Sequence, residues 1–262
     1  MIGTDSRRLV HVEHVWDTVV SMNLIGPDPR ALGAARSEVV AFLHHVDAVF
    51  SAYREDSELS RWHRGETEPG AELYEVLELG AEAERLTHGF FDLSWNGRPD
   101  PTGIVKGWAV DQAAEIAADH GIDDLLINAG GDLITRGSPG PDADGDPRPW
   151  RSGITDPRDR QRVIAVVEGH RLDLATSGVS ERGEHIHSDR PRTVLAASVL
   201  GPQDGPYAGL AMTDAIATAA IAAGDAAPDL LSELDVLGWS SQLVLPSGAV
   251  WRSRSWPAAP VG

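Results

Sequence analysis

The chain has 262 residues, 42% of them hydrophobic and 24% charged, which is enough to bury one sizeable core. Its 22 basic and 40 acidic residues give a formal charge of −18, which excludes a general nucleic-acid binder and opposes docking on an anionic membrane surface. The absence of cysteine removes disulfides and thiolate metal sites and sets the expectation of a cytoplasmic protein. The N-terminal "MIGTDSRRLVHVEHVWD" carries arginines with no apolar stretch behind them, so no secretory signal is expected.

Taken in chain order, "VWDTVVSMNLIG" (15–26) is β-branched and alternating, and predicts a strand. "DPRALGAARSEVVAFLHHVDAVFSAY" predicts a long amphipathic helix, with Asp28 as N-cap and Pro29 at its first position. "DSELSRW" reads as a short helix capped by Asp56 or Ser57. "GAELYEVLELGAEAERLTHG" reads as a helix with Gly89 as its C-cap. Gly, Pro and Asp make "GFFDLSWNGRPDPTGIVKG" (89–107) a loop, followed by a helix from Lys106 that ends at Gly121. "DDLLINAGGDLITRG" predicts two strands meeting at Gly130–Gly131, and "GSPGPDADGDPRP" an exposed acidic loop without the glycine spacing of a calcium loop.

Four strands follow, in "WRSGITD", "RVIAVVEG", "RLDLATSG" and "TVLAASVLG". After them come an Ala-rich helix (208–225), the helical "DLLSELDVLG" and a closing hairpin in "WSSQLVLPSGAVWR". Helices and strands mix without a regular βαβ rhythm. The expected class is therefore α+β, a single domain over residues 1–262 with a largely antiparallel sheet and packed helices.

Asp214 and Thr218 stand four residues apart inside that Ala-rich helix, on one face and about 5–6 Å apart at Cβ. A carboxylate and a hydroxyl so placed suit one hard cation such as Mg²⁺; capping plus a polar stripe is the plainer alternative. In "DPTGIVKGWAVD", Gly103 permits close backbone approach and Lys106 lies near a helix start, between Asp100 and Asp111. That combination points to a phosphate, although the glycine spacing is not that of a Walker loop.

"DPTGIVKGWAVD", "INAGGDLITRG", "LATSG…ER" and "MTDAIATAA", in this order, resemble the ApbE family of FAD:protein FMN transferases. "HVEHVWDTVV" and "FSAYREDSELSRW" resemble that family's first strand and its substrate-side helix and loop. Together the motifs span roughly residues 14 to 245. The resemblance implies an ApbE-like (T-fold-like) domain with Mg²⁺ held by Asp214, Thr218 and the Gly103 carbonyl. It implies FAD as substrate, held by Trp16, Tyr53, Gly89, Phe90, Phe91, Asp100, Lys106, Ser177, Gly178 and Ile186, with His185 and Lys106 catalytic. The reaction implied is Mg²⁺-dependent transfer of FMN from FAD to a Ser or Thr hydroxyl of an acceptor protein's FMN-binding domain, releasing AMP. Hydrolysis of FAD to FMN and AMP, or FAD binding without catalysis, are the alternatives. No nucleic acid and no membrane insertion are expected.

The sequence departs from the family pattern at four places. Trp16-Asp17-Thr18 replaces Met-Gly-Thr, the usual Asn closing the "SELS" segment is replaced near His63, and the connection from "GFFD" to "DPTGIVKG" is short. "HIHSDRPRT" replaces the His-Ile-x-Asp-Pro-x-Thr-Gly segment and leaves two imidazoles, His185 and His187, for one role.

Overall fold

The computed structural model describes residues 7–95, 97–178, 191 and 193–257. Its centre is an eight-stranded sheet in the order β1-β2-β3-β4-β7-β8-β9-β10, beside a two-stranded β5-β6 ribbon. Every neighbouring pair is antiparallel, as the sequence predicts for most of the sheet. The strands are β1 (Arg7–Val15), β2 (Thr18–Gly26), β3 (Asp124–Ala129), β4 (Asp132–Arg136), β5 (Trp150–Asp156), β6 (Asp159–Gly169), β7 (Leu172–Gly178), β8 (Ala196–Leu200), β9 (Ser240–Val244) and β10 (Val250–Arg252). The helices are α1 (Pro29–Phe50), α2 (Glu58–His63), α3 (Ala71–Leu86), α4 (Thr102–Asp119), α5 (Leu210–Ala223) and α6 (Ala227–Asp235).

Alternation along the strands splits the core in two. One face sends Met22, Ile127, Ile134, Ala175 and Val199 toward the helices. The other sends Leu133, Leu174 and Leu200 against Ile154, Ala165 and Val167 of the ribbon. Helix α5 is buried in the larger core. The stretch Leu210–Asp235 is long and apolar enough to cross a membrane, but 83% of its apolar window is buried inside the protein, which accounts for its composition.

Several local expectations need correction. The strand predicted from residue 15 is the second arm of a hairpin. Trp16 and Asp17 form its two-residue turn, both with positive φ (56° and 52°), because such a turn matches the twist of the flanking strands. Helix α1 starts on Asp28, whose carboxylate accepts the Arg30 N–H at 2.9 Å, but it stops at Phe50 and leaves Tyr53 outside. Ser57, not Asp56, caps α2, accepting the Ser60 N–H at 3.0 Å.

Helix α3 ends in a Schellman turn, with Gly89 N–H on the Glu84 carbonyl at 2.8 Å and His88 N–H on that of Arg85 at 3.3 Å. The C-cap is Thr87, and His88 (φ 53°) takes the left-handed position beyond it, so Gly89 stands one residue past that place. Helix α4 begins at Thr102 rather than Lys106. The Asp100 carboxylate accepts the Thr102 N–H at 3.1 Å, so Gly103 lies in the helix and not in a loop.

Candidate functional site

Gly103, Gly107 and Asp111 recur every four residues on α4 and so form one stripe, as do Leu210, Asp214 and Thr218 on α5. Gly107 and Asp111 face the start of α5, and the helices run in opposite directions, since Lys106 reaches Asp214 one turn further along α5. Asp111 accepts the N–H groups of Leu210 and Ala211, each at 2.9 Å, and so caps α5. A Cβ on Gly107 would stand 2.6 Å from the Leu210 carbonyl oxygen, so this glycine sets how closely the helices approach. Further toward the α4 N-terminus, the Lys106 ammonium lies 3.6 Å from the Asp214 carboxylate. This register carries Gly103, one turn beyond Gly107, toward Asp214 and Thr218.

Lys106 also forms an ion pair with Asp132, the first residue of β4. Asp132 is fully buried and Asp214 is 4% exposed, so the ammonium is their counter-charge, as buried carboxylates require. The other Asp132 oxygen accepts the Thr176 N–H of β7 at 2.8 Å. One residue on, the Ser177 hydroxyl meets that of Thr218 at 3.3 Å, and Thr176 meets Ser198 of β8 at 3.0 Å. Five separate elements thus converge on one buried polar cluster: α4, β4, the end of β7, β8 and the middle of α5. Asp132 is the member that the sequence reading missed. A signal for it exists, since Lys106 is the only lysine in the chain and the other 21 basic residues are arginines. A lone lysine on a helix with Asp on the facing stripe calls for counter-charges.

The remaining expected residues divide by location. Gly178 ends β7, beside Ser177. Trp16 forms its turn at the same end of the sheet, where Gly130 N–H reaches the Val19 carbonyl at 3.1 Å, and its indole packs on the core. Phe91 is 4% exposed and lies beneath Gly103, 3.0 Å from where a Cβ would be, so it supports the start of α4 from the core. Phe90 is half-buried and Gly89 exposed, both just past α3. Asp100 accepts the Thr102 N–H, the first of α4, with one oxygen, while Pro101 holds the N-cap position. His63 anchors the approach to Asp100, its Nε2 lying 2.7 Å from the Pro99 carbonyl. Tyr53 is 82% exposed between α1 and α2 and is not part of the cluster. His185, Ile186 and His187 lie outside the described residues. An open groove of about 580 Å³ between α2 and α3, lined by Trp62, Tyr74 and Leu77 among others, is separate from the cluster.

The donor set discriminates among metals. Among the described residues no group of three or more His, Cys, Asp or Glu could enclose an ion. One buried carboxylate and a hydroxyl one turn away cannot make an all-protein cage. They do fit Mg²⁺, which takes one or two carboxylates and completes its shell with water and substrate phosphates. Near this cluster, burial pushes the Asp111 carboxyl up to about 7, although the Leu210 and Ala211 N–H groups pull the other way. The acidic loop is turned on itself, with Asp142 accepting the N–H groups of Asp144 and Asp146, each at 2.9 Å.

Comparison with known proteins bears on this arrangement. A FAD:protein FMN transferase of Klebsiella pneumoniae (strain 342) is 23% identical over 240 residues, covering 70% of this chain and 66% of the relative. One from Vibrio cholerae is 28% identical over 196 residues, covering 55% and 57%. The chain therefore spans two thirds or less of the curated relatives it matches. Among solved structures, the ApbE protein of Thermotoga maritima superposes with a TM-score of 0.77 at 20% identity, over 95% of this chain and 98% of that one. The apo form of the Pseudomonas stutzeri flavinyl transferase ApbE gives 0.77 at 20% identity, over 97% of each. These likenesses establish the fold. The sequence pattern of the ApbE family matches residues 16–97 and 98–237, nearly the whole of the chain, and the protein belongs to the ApbE family.

Proposed function

We propose that residues 1–262 act as one cytoplasmic transferase domain that moves FMN from FAD to a Ser or Thr hydroxyl on the FMN-binding domain of an acceptor protein, with AMP leaving. The observation that carries this reading is the Lys106–Asp132–Asp214–Thr218 cluster between α4, β4 and α5. It offers a cation and hard oxygen donors one turn into α4, beyond the N–H groups of that helix's first turn.

Phosphoryl-type transfer depends mainly on positioning and on neutralising charge. The acceptor oxygen bonds to the FMN-side phosphorus, the bond from that phosphorus to the bridging oxygen breaks, and AMP carries that oxygen away. Lys106 holds a pyrophosphate oxygen, and Asp100 and the end of β7 at Ser177–Gly178 orient the nucleotide. Asp214, Thr218 and the Gly103 carbonyl, which keeps a second lone pair in the helix, would hold Mg²⁺, which supplies charge neutralisation and a template when bound. His185 takes the hydroxyl proton, since an imidazole titrates near working pH.

Product analysis with FAD, Mg²⁺ and an FMN-binding domain tests the reading. A flavin-sized mass gain on the acceptor with equimolar AMP supports transfer. Free FMN plus AMP with an unmodified acceptor means hydrolysis, and intact bound FAD means storage; either result rejects it.

A further inference from the structure

The Lys106 ammonium stands between two buried carboxylates, and only one of them, Asp214, belongs to the proposed metal set. A lysine resting on Asp214 would compete with a divalent cation for the same oxygens. We propose that Asp132 is a positioning residue that keeps Lys106 off Asp214, so that ammonium and divalent cation occupy the site together. This rests on the metal reading given above.

Three observations carry it. Asp132 is fixed: it is fully buried at the start of β4, and one oxygen is committed to the Thr176 N–H at 2.8 Å, which aims the other at Lys106. The ammonium forms ion pairs with both carboxylates, Asp132 on β4 and Asp214 on α5, the latter at 3.6 Å, so it stands where a preference for one would free the other. Third, the residue is lysine in a chain whose other 21 basic residues are arginines. An ammonium is a compact point charge that one carboxylate can hold to one side. A guanidinium is a planar fork that would bridge both carboxylates and cover Asp214.

The test is calorimetric binding of Mn²⁺ alone to the wild type, Asp132→Asn and the double variant Asp132→Asn/Lys106→Met. With Asp132 neutral, the ion pair that holds Lys106 to one side is lost and the ammonium is drawn toward Asp214. Mn²⁺ affinity should fall tenfold or more, although Asp132 is not a ligand. Removing the lysine as well should restore affinity to within about threefold of wild type. Wild-type affinity in Asp132→Asn overturns the proposal. A double variant as weak as the single one also overturns it, because Asp132 would then serve only the fold. A wild type that takes up no Mn²⁺, or an Asp214→Ala variant that binds as well, instead removes the metal reading and the proposal with it.

A second measurement needs no variant. In ¹⁵N-lysine-labelled protein the single side-chain ammonium signal belongs to Lys106. Adding Mg²⁺ should shift it while its protons stay protected from solvent. An unmoved signal, or loss of protection, contradicts the shared site.

Discussion

Gly107→Ala should destabilise the protein, against the usual effect of alanine in a helix. A Cβ there would lie 2.6 Å from the Leu210 carbonyl oxygen, 2.7 Å from Ala211 Cα and 2.8 Å from Ala211 N. All three are backbone atoms, so no rotamer relieves the clash. Reaching an ordinary 3.4 Å contact requires α5 to retreat by about 0.8 Å. Overpacking of this kind costs about 2–3 kcal/mol, offset by about 1 kcal/mol of helix propensity. The net loss is about 1–2 kcal/mol, or about 2–8 °C in Tm for a chain of this size. Gly33 in α1 is the control, since a Cβ there meets nothing within 4 Å. Gly33→Ala should therefore stabilise by about 0.5–1 kcal/mol. Scanning calorimetry of the two variants decides the matter. If Gly107→Ala melts at or above the wild type while Gly33→Ala behaves as expected, the close α4–α5 crossing is wrong, and so is the registry that brings Lys106 to Asp214.

Other predictions concern the site. Lys106→Ala should weaken FAD binding tenfold or more, about 1.4 kcal/mol, by calorimetry; unchanged affinity would remove the lysine from the nucleotide site. Asp111, raised to about 7 by burial, has a folded pKa above its unfolded value, so the folded state takes up its proton as pH falls. Its contribution to stability is complete below about pH 4 and is lost as pH rises through about 7, by at most ~1.4 kcal/mol per unit. Asp111→Asn should flatten that part of the profile in urea denaturation between pH 4.5 and 7.5, and an unaltered slope would contradict the assignment. His185→Ala should slow single-turnover transfer by about 10²–10⁴-fold with FAD still bound. A loss in His187→Ala instead moves the role to that imidazole, and no loss in either removes histidine from the chemistry.

What the sequence revealed and what it hid follow from the range of the interactions involved. Asp214 and Thr218 were legible because one helical turn brings them together whatever surrounds them. The antiparallel sheet was legible in strand alternation and in the Gly130–Gly131 turn. Asp132 was not, because its partners Lys106 and Thr176 are distant in the chain and only the sheet and α4 bring them near. The start of α4 is hidden because Pro101 and Gly103 read as loop formers, whereas the Asp100 carboxylate on the Thr102 N–H and the Phe91 ring beneath Gly103 favour a helix there. Trp16 and His88 hold left-handed backbone that composition assigns to glycine or asparagine. The closing turn of the β1–β2 hairpin and the Schellman bonds at the end of α3 override that preference.

The central claim is that the cluster joining α4, β4, β7, β8 and α5 is where metal and flavin nucleotide meet. Crystals grown with FAD and Mn²⁺ and measured for anomalous scattering test it most directly. The account predicts one strong Mn²⁺ peak within coordination distance of the Asp214 carboxylate and the Thr218 hydroxyl, with the pyrophosphate against Lys106. A peak elsewhere, such as the acidic loop around Asp142, or a nucleotide seated in the groove between α2 and α3, would contradict it.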